Sequence, residues 1–355
     1  MSTKWRICLR WRPVWVGLLA AVWAFCGAKV CVADSPASGA AILTAAVVQD
    51  EAAARQDRAA VISAMALSPS GALLATCGDD HLLRIWDAKS LRLLSRGEGH
   101  SDWVRAVVFA PLGDSVITAG QDGRILFWEI LAGREGFILE RPVGLDRWEE
   151  AIFHLAVCPA GGHLAAAGFE GKLIVYDLET KKPLASLQSP GRDLRAAKFS
   201  PNGEVLAAAG GSGIIRLWKS STWEILGDLR GQRGRVRTLA FSPDSARLAS
   251  AGDDGQVMIW DWHTKTLLHQ LPHGVPIASM CWCGSDRLAI GRSDNSIQIV
   301  ELPQANIVAR LVGHTGTVSC LLWQADNNQL LSGSFDTTLR IWSLQSVESI
   351  AMNPR

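Results

Sequence analysis

The sequence has 355 residues, 48% of them hydrophobic, and its 35 basic and 34 acidic residues leave a formal charge of +1. That much apolar content is ample for a large core, and so even a balance excludes the strongly basic chains that bind polyanions. Fifteen tryptophans against one tyrosine require a cause repeated along the chain.

Residues 1–33 stand apart. Lys4, Arg6, Arg10 and Arg12 precede an apolar run of 15 from Val14 to Ala28, and Cys31-Val32-Ala33 puts small residues before Asp34. This is the composition of a secretory signal peptide. The run is short against the roughly 20 residues of a bilayer span; an uncleaved membrane anchor is the alternative. Removing the segment takes away five positive charges and no negative ones, carrying the formal charge from +1 to −4. The expectation is an exported protein of the periplasm or another extracytoplasmic space, with no membrane span in the mature chain. No Asn-x-Ser/Thr sequon occurs. The cysteines left, Cys77, Cys158, Cys281, Cys283 and Cys320, are odd in number and fit no disulfide framework. They read as small strand residues. Cys281-Trp282-Cys283 puts two thiols on one strand face, but without a CxxC spacing or a second ligand pair.

Residues 34–59 read as a linker carrying a candidate closing strand, and 60–355 as one large domain. In the linker, Ile42 to Val48 has strand character and the Ala-rich stretch from Ala52 to Arg55 could be helical. From there the chain repeats one pattern. An apolar strand (Ile62 to Leu67, Val104 to Phe109, Leu194 to Phe199, Val236 to Phe241) runs into a tight turn such as Ser68-Pro69-Ser70-Gly71 or Ser200-Pro201-Asn202-Gly203. A second strand rich in small residues follows, then a turn containing an acidic or small residue, a third strand closing in Trp, and a more polar fourth strand such as Pro183 to Gln188. Near-continuous apolar strands are expected where a sheet is covered on both faces. The turn residues Asp80, Asp122, Glu170, Ser212, Asp254, Asp294 and Asp336 are separated by 42, 48, 42, 42, 40 and 42 residues. The long interval predicts an insertion between Phe137 and Ile152, with Glu140 to Glu150 lengthening a surface loop.

A period of about 40 to 45 residues with a Gly-His…Trp-Asp signature is that of a four-stranded propeller blade. Over nearly all of its mature length the chain resembles the WD-repeat β-propellers. The resemblance implies an all-β fold: a seven-bladed β-propeller of four-stranded antiparallel blades. It also implies closure by a terminal strand added to the last blade, for which Ile42 to Val48, longer and β-branched, is preferred over Glu348 to Met352. In well-formed blades of this family a His, a Ser or Thr, the turn Asp and the Trp are linked by hydrogen bonds. Two blades carry the whole set: His100, Thr118, Asp122 and Trp128, and His314, Ser332, Asp336 and Trp342. The others are partial. Thr76, Asp80 and Trp86 have Arg58 in the His register; Ser250, Asp254 and Trp260 have Gln232. His273 and Asp294 keep two members, and the third and fourth units keep Glu170 with Tyr176 and Ser212 with Trp218. A set recurring around a ring is structural, not a hydrolase triad.

No nucleophile elbow, zincin, Walker or dinucleotide fingerprint appears. The family register also says which residues surround the mouth of the axial channel. No His is among them, and the carboxylates there are Asp79, Asp193 and Asp253 on separate blades. The expectation is therefore no catalytic residue, no metal and no cofactor. What the register does gather is Trp103, Phe153, Phe169 and Phe335 with Arg105, Arg195, Arg235 and Arg237. Aromatics and arginines dominate interface energies, so these eight predict a face for a partner protein segment carrying carboxylates and an apolar anchor. The bland alternative is that the arginines pair with the three aspartates. The function expected is a non-catalytic protein-interaction scaffold; the alternative is a propeller hydrolase or lyase with an axial site. Nucleic acid is not an expected partner, since the charge is slightly negative.

Overall fold

The computed structural model describes residues 45–48, 59–133, 136–140 and 142–344. The expected leader, most of the linker, Arg58 and the stretch Glu348 to Met352 lie outside the described residues. Seven antiparallel sheets follow one another round a ring: blade 1 (62–98), blade 2 (104–147), blade 3 (152–188), blade 4 (194–229), blade 5 (236–272), blade 6 (277–311) and blade 7 (318–343). In blades 1 and 3 to 6 the four strands pair in chain order from the axis outward. The fourth strand of blade 7 is Ala45–Val48, which runs antiparallel to Leu339–Ser343 with Ala45 opposite Trp342 and Val48 opposite Leu339. The N-terminal segment, not the C-terminal one, supplies that strand.

The core is divided among the gaps between blades. Seven apolar clusters each draw on two neighbouring sheets, as where Ala207 and Leu217 of blade 4 meet Leu239 and Trp260 of blade 5. The same holds round the ring, and Met65, Leu74 and Trp86 of blade 1 meet Leu331 and Leu339 of blade 7 where it closes. Second strands such as Leu164, Ala165, Ala166 and Ala167 are buried on both faces. That explains their small side chains: the two adjoining sheets leave little room beside them. Outer strands such as Pro183–Gln188 have mostly exposed residues.

Blade 2 departs from the predicted plan. Val143–Arg147 is no loop. It is the blade's outer strand, pairing with Arg124–Phe127 through Val143 opposite Phe127 and Arg147 opposite Arg124. The extra residues lie upstream, where the third strand runs on from Arg124 to Gly133 and its end folds back on Gly136–Leu139, making a fifth strand. The cause is local. Arg124 to Gly133 reads RILFWEILAG, an apolar and β-branched run with no breaker after Trp128, so the strand does not stop at the tryptophan as it does elsewhere.

Candidate binding face

All seven inner strands share a device that aims side chains at the axis. Each carries a β-bulge one residue after its first pair, between Ile62 and Ala64, Val104 and Ala106, Ile152 and His154, Leu194 and Ala196, Val236 and Thr238, Ile277 and Ser279, and Val318 and Cys320. A bulged residue leaves the ladder and turns its side chain. The residues so released are Ser63, Arg105, Phe153, Arg195, Arg237, Ala278 and Ser319, and all seven line the axial channel. Two of the hydroxyls also tie blades together: Ser63 donates to the Val104 carbonyl of blade 2 at 2.5 Å and Ser319 to the Ile62 carbonyl of blade 1 across the closure.

The eight predicted face residues fall into three groups. Phe335 of blade 7 and Trp103 of blade 2 meet over blade 1 with ring centroids 6.1 Å apart, and the Arg105 guanidinium lies 3.6 Å from the Trp103 ring centre. Phe169 and Phe153 make an edge contact at 6.4 Å, with the Arg195 guanidinium 3.7 Å over Phe153. Arginine stacked on an aromatic keeps its donors free at its edge. Phe335 and Phe169 remain 43% and 48% exposed, so each stack ends in an apolar surface open to a partner.

The third group is a belt of alternating charge. Arg195 Nε stands 2.6 Å from Asp193, Arg235 Nε 2.8 Å from the other oxygen of Asp193, and Arg235 reaches Asp253 at 3.8 Å while Arg237 pairs with Asp253 as well. Three of the four predicted arginines are therefore paired with aspartates of the same face, and Arg235 joins blades 4 and 5. Arg105 is different: its polar contact is with Gln121, at 3.0 Å. Burial and the nearby Arg195 charge push its pKa below the ordinary arginine value. The predicted third carboxylate, Asp79, caps the Val61 amide at 2.9 Å.

The polar sets lie outside this face, in the gaps between blades. In blade 2, His100 Nδ1 meets Asp122 at 2.9 Å, His100 Nε2 meets Thr118 at 2.8 Å, and the Trp128 indole donates to the same hydroxyl at 2.8 Å. Blade 7 repeats this through His314, Asp336, Ser332 and Trp342 at 2.8, 2.7 and 2.8 Å. Burial raises the Asp336 pKa, but the hydrogen bonds from His314 and Thr338 outweigh it and hold the carboxyl well below its usual range. In blade 5, Gln232 donates to Ser250 at 3.2 Å in place of the histidine, and in blade 1 Trp86 bonds Thr76 at 2.9 Å while Asp80 turns to Arg84.

Blades 3 and 6 are wired otherwise. The pairing of His273 with Asp294 expected from the family pattern does not form. Arg292 is buried two residues before the turn Asp, where blades 2 and 5 have Gly120 and Gly252, and it takes Asp294 at 3.1 Å and the His273 carbonyl at 2.9 Å. His273 bonds Gln298 at 2.8 Å instead. In blade 3, Trp148 was missed. It stands four residues before Ile152, the offset of His100 from Val104, and its indole donates to the Tyr176 hydroxyl at 2.9 Å. Alanine at position 166 supplies no hydroxyl there, so indole and phenol bond directly. Gly168 makes room: a Cβ there would sit 2.7 Å from the Trp148 ring.

A family model described as WD domain, G-beta repeat matches residues 56–87, 91–129, 181–219, 223–261 and 305–343, more than half of the chain. The protein belongs to the WD40 family. The WD40 repeats matched end on the third strands of blades 1, 2, 4, 5 and 7, and the unmatched units are those of blades 3 and 6, where the polar set is rewired. Among curated WD40 relatives, the chain is 33% identical over 108 residues to "Protein transport protein sec13" of Aspergillus fumigatus, covering 28% of this chain and 34% of that protein. It is 23% identical over 278 residues to "Meiotic fizzy-related protein 1" of Schizosaccharomyces pombe, covering 77% of this chain and 55% of that protein. It is 25% identical over 121 residues to "Small ribosomal subunit protein RACK1" of Neurospora crassa, covering 34% and 36%. The chain thus spans about a third to a half of the length of these relatives. Among the described residues no helix is long and apolar enough to cross a membrane, and no group of three or more His, Cys, Asp or Glu is placed to hold a metal ion.

Proposed function

We propose that this WD40 protein is a non-catalytic interaction scaffold, exported from the cytoplasm, that holds a segment of a partner protein over the mouth of its axial channel. The supporting observation is the pair of aromatic and guanidinium stacks on one face, Phe335–Trp103–Arg105 and Phe169–Phe153–Arg195, each ending in a half-exposed phenylalanine. Rigid aromatic rings beside forked cations offer large contact area at little entropic cost. The fitting segment carries an apolar side chain and a carboxylate. Since Arg195, Arg235 and Arg237 already pair with Asp193 and Asp253, the charge recognition falls mainly on Arg105.

The test is site-specific photo-crosslinking in the native host. A photoreactive phenylalanine at position 335 or 169 should capture the same partner, with the yield falling sharply when Arg105→Glu is added. The same group at Ile225, exposed on the outer strand of blade 4, should not capture it. Equal capture from Ile225, or no product from the face, would contradict the reading.

A further inference from the structure

Beneath the mouth, the channel encloses about 220 Å³ lined by all seven inner strands. A water occupies about 30 Å³ in the liquid, so the space admits a small ion with some of its hydration. The charge around it has one sign. Arg105, Arg195, Arg237 and Lys198 reach the lumen, and no carboxylate is among its lining residues. Asp193 and Asp253 sit outside, at the rim, where they offset Arg195 and Arg237. Lys198 and Arg105 have no ion pair among the described residues.

Lys198 occupies the position two residues past the bulge partner Ala196, one layer below the mouth, and the Cys281 thiol stands at the same position of blade 6. Between mouth and lysine sits His154, whose Nδ1 is buried without a hydrogen-bond partner. Burial, reinforced by Lys198, pushes the His154 pKa down to about 3, so the imidazole is neutral and one of its nitrogens carries a proton to donate. Lys198 is exposed along the open channel, yet the protein crowding its side chain lowers its pKa. An ammonium crowded in this way can lose its proton to lessen the cost of desolvation, but the Arg105 guanidinium cannot. A positive lumen that keeps Arg105 charged is completed by an anion.

We propose that the axial channel is an oxyanion site, in which Lys198, His154 and Arg105 converge on one carboxylate, sulfate or phosphate group. The site shares Arg105 with the proposed partner face but does not need a docked partner: a free inorganic ion would satisfy the same donors as the acidic side chain of a docked segment.

The test titrates the full chain with sodium phosphate, and separately with a peptide of alternating Glu and Phe, at ionic strength held constant with sodium chloride, reading thermal midpoint and isothermal heat. A saturable response to phosphate, weakened about tenfold or more in Lys198→Met through loss of a charge-assisted bond and retained in Arg230→Met at the exposed outer rim, supports the site with a free ion as ligand. A saturable, Lys198-dependent response to the peptide alone supports it with a segment carboxylate as ligand. Should Lys198→Met fold poorly, the wild-type chain is labelled by reductive methylation with ¹³C-formaldehyde, and the Lys198 resonance should shift and saturate with the same ligand. No saturable response to either probe, or one equal in Lys198→Met, overturns the proposal.

Discussion

Blades 6 and 7 stand side by side with one apolar cluster between them, yet their polar interiors have little in common. Blade 7 chains Asp336, His314, Ser332 and Trp342 into one run of hydrogen bonds, buried but for the half-buried end at Asp336. Blade 6 has Ile290 and Val300 in the hydroxyl and indole positions, and Arg292 has drawn its turn aspartate away. Blade 3 offers a third solution in Trp148 and Tyr176. All three are antiparallel sheets in the same ring with the same inner-strand bulge. The apolar surface between neighbours is therefore what makes a blade. The polar set is one means of pairing buried donors and acceptors, and blade 6 keeps its place in the ring although His273 Nε2 and Arg292 Nε are buried without a hydrogen-bond partner among the described residues.

The comparison breaks first at the large side chains. Trp342 is 1% exposed and packs against Ile299 and Leu311 of blade 6. Trp342→Ala should cost about 3 to 5 kcal/mol in urea unfolding, and Trp148→Ala in blade 3, where the ring is as well packed, a similar amount despite lacking the family's hydroxyl. A much smaller loss at Trp148 would show that the rewired blade is held less firmly than the regular one.

Next come the turn aspartates. Asp336→Ala strands His314 and the Thr315 amide, which it accepts at 2.8 and 2.9 Å, and should cost about 1 to 3 kcal/mol. Asp294→Ala removes a partly exposed partner from Arg292, which keeps the His273 carbonyl and Ser296, together with the acceptor of the Ser296 amide and hydroxyl, and should cost about 1 kcal/mol. Equal losses would mean that the two aspartates do the same job.

Acid separates blade 3 from blades 2 and 7. His154 is neutral in the folded chain down to about pH 3 but takes up a proton below its ordinary 6.5 once unfolded, so stability falls as pH drops from 6.5 towards 3. The groups facing it in the channel are the cations Lys198, Arg105, Arg195 and Arg237 and the thiol of Cys320, with Cys281 beside Lys198, and none offers a negative charge at these pH values. Asp122 and Asp336 have folded pKa values below the ordinary 3.8, so what they contribute is present above 3.8 and lost only as pH falls further. Unfolding free energies of His154→Gln should lose part of the slope between pH 6.5 and 4, the remainder belonging to His273 of blade 6, whose pKa burial also lowers, and should keep the fall below pH 4; an unchanged slope would place the titrating group elsewhere.

A single hydrogen bond is at stake between Trp148 and Tyr176. Tyr176→Phe leaves one buried indole N–H unpaired and should cost roughly 1 kcal/mol. Trp148→Phe with Tyr176→Phe should be coupled in a double-mutant cycle. Additivity would remove the hydrogen bond from the account of blade 3.

Much of the ring was legible in the sequence because it rests on short-range signals. The Ser-Pro-x-Gly turns, the runs such as Val104 to Phe109 and the spacing of Asp80, Asp122 and Asp336 placed strands that the structure reproduces at the same residues. The full sets of blades 2 and 7 were legible for the same reason, and their hydrogen bonds form as the family pattern implies. What was hidden depends on competition in space. Arg292 wins Asp294 because it is a longer donor in a slot that glycine fills in blades 1 to 5 and Ser334 in blade 7, and only its position two residues before the turn hints at this. Trp148 occupies a histidine register, visible only if the count back from Ile152 is made without regard to residue type. At the face, the structure puts the aromatic and arginine residues into two stacks and a charged belt, but whether the arginines spend their charge on Asp193 and Asp253 turns on side-chain reach that a pattern does not contain.

The central claim, that interfaces between blades and not the polar set hold the ring, is tested most directly by native-state hydrogen exchange on the full chain. Inner-strand amides of Ile152–Val157 and Ile277–Trp282 should exchange within about tenfold of those in Val318–Gln324, all limited by opening of the same cooperative ring. Exchange in blades 3 and 6 faster by several orders of magnitude, with blades 2 and 7 still protected, would show that the hydrogen-bonded set and not the apolar contact makes a blade.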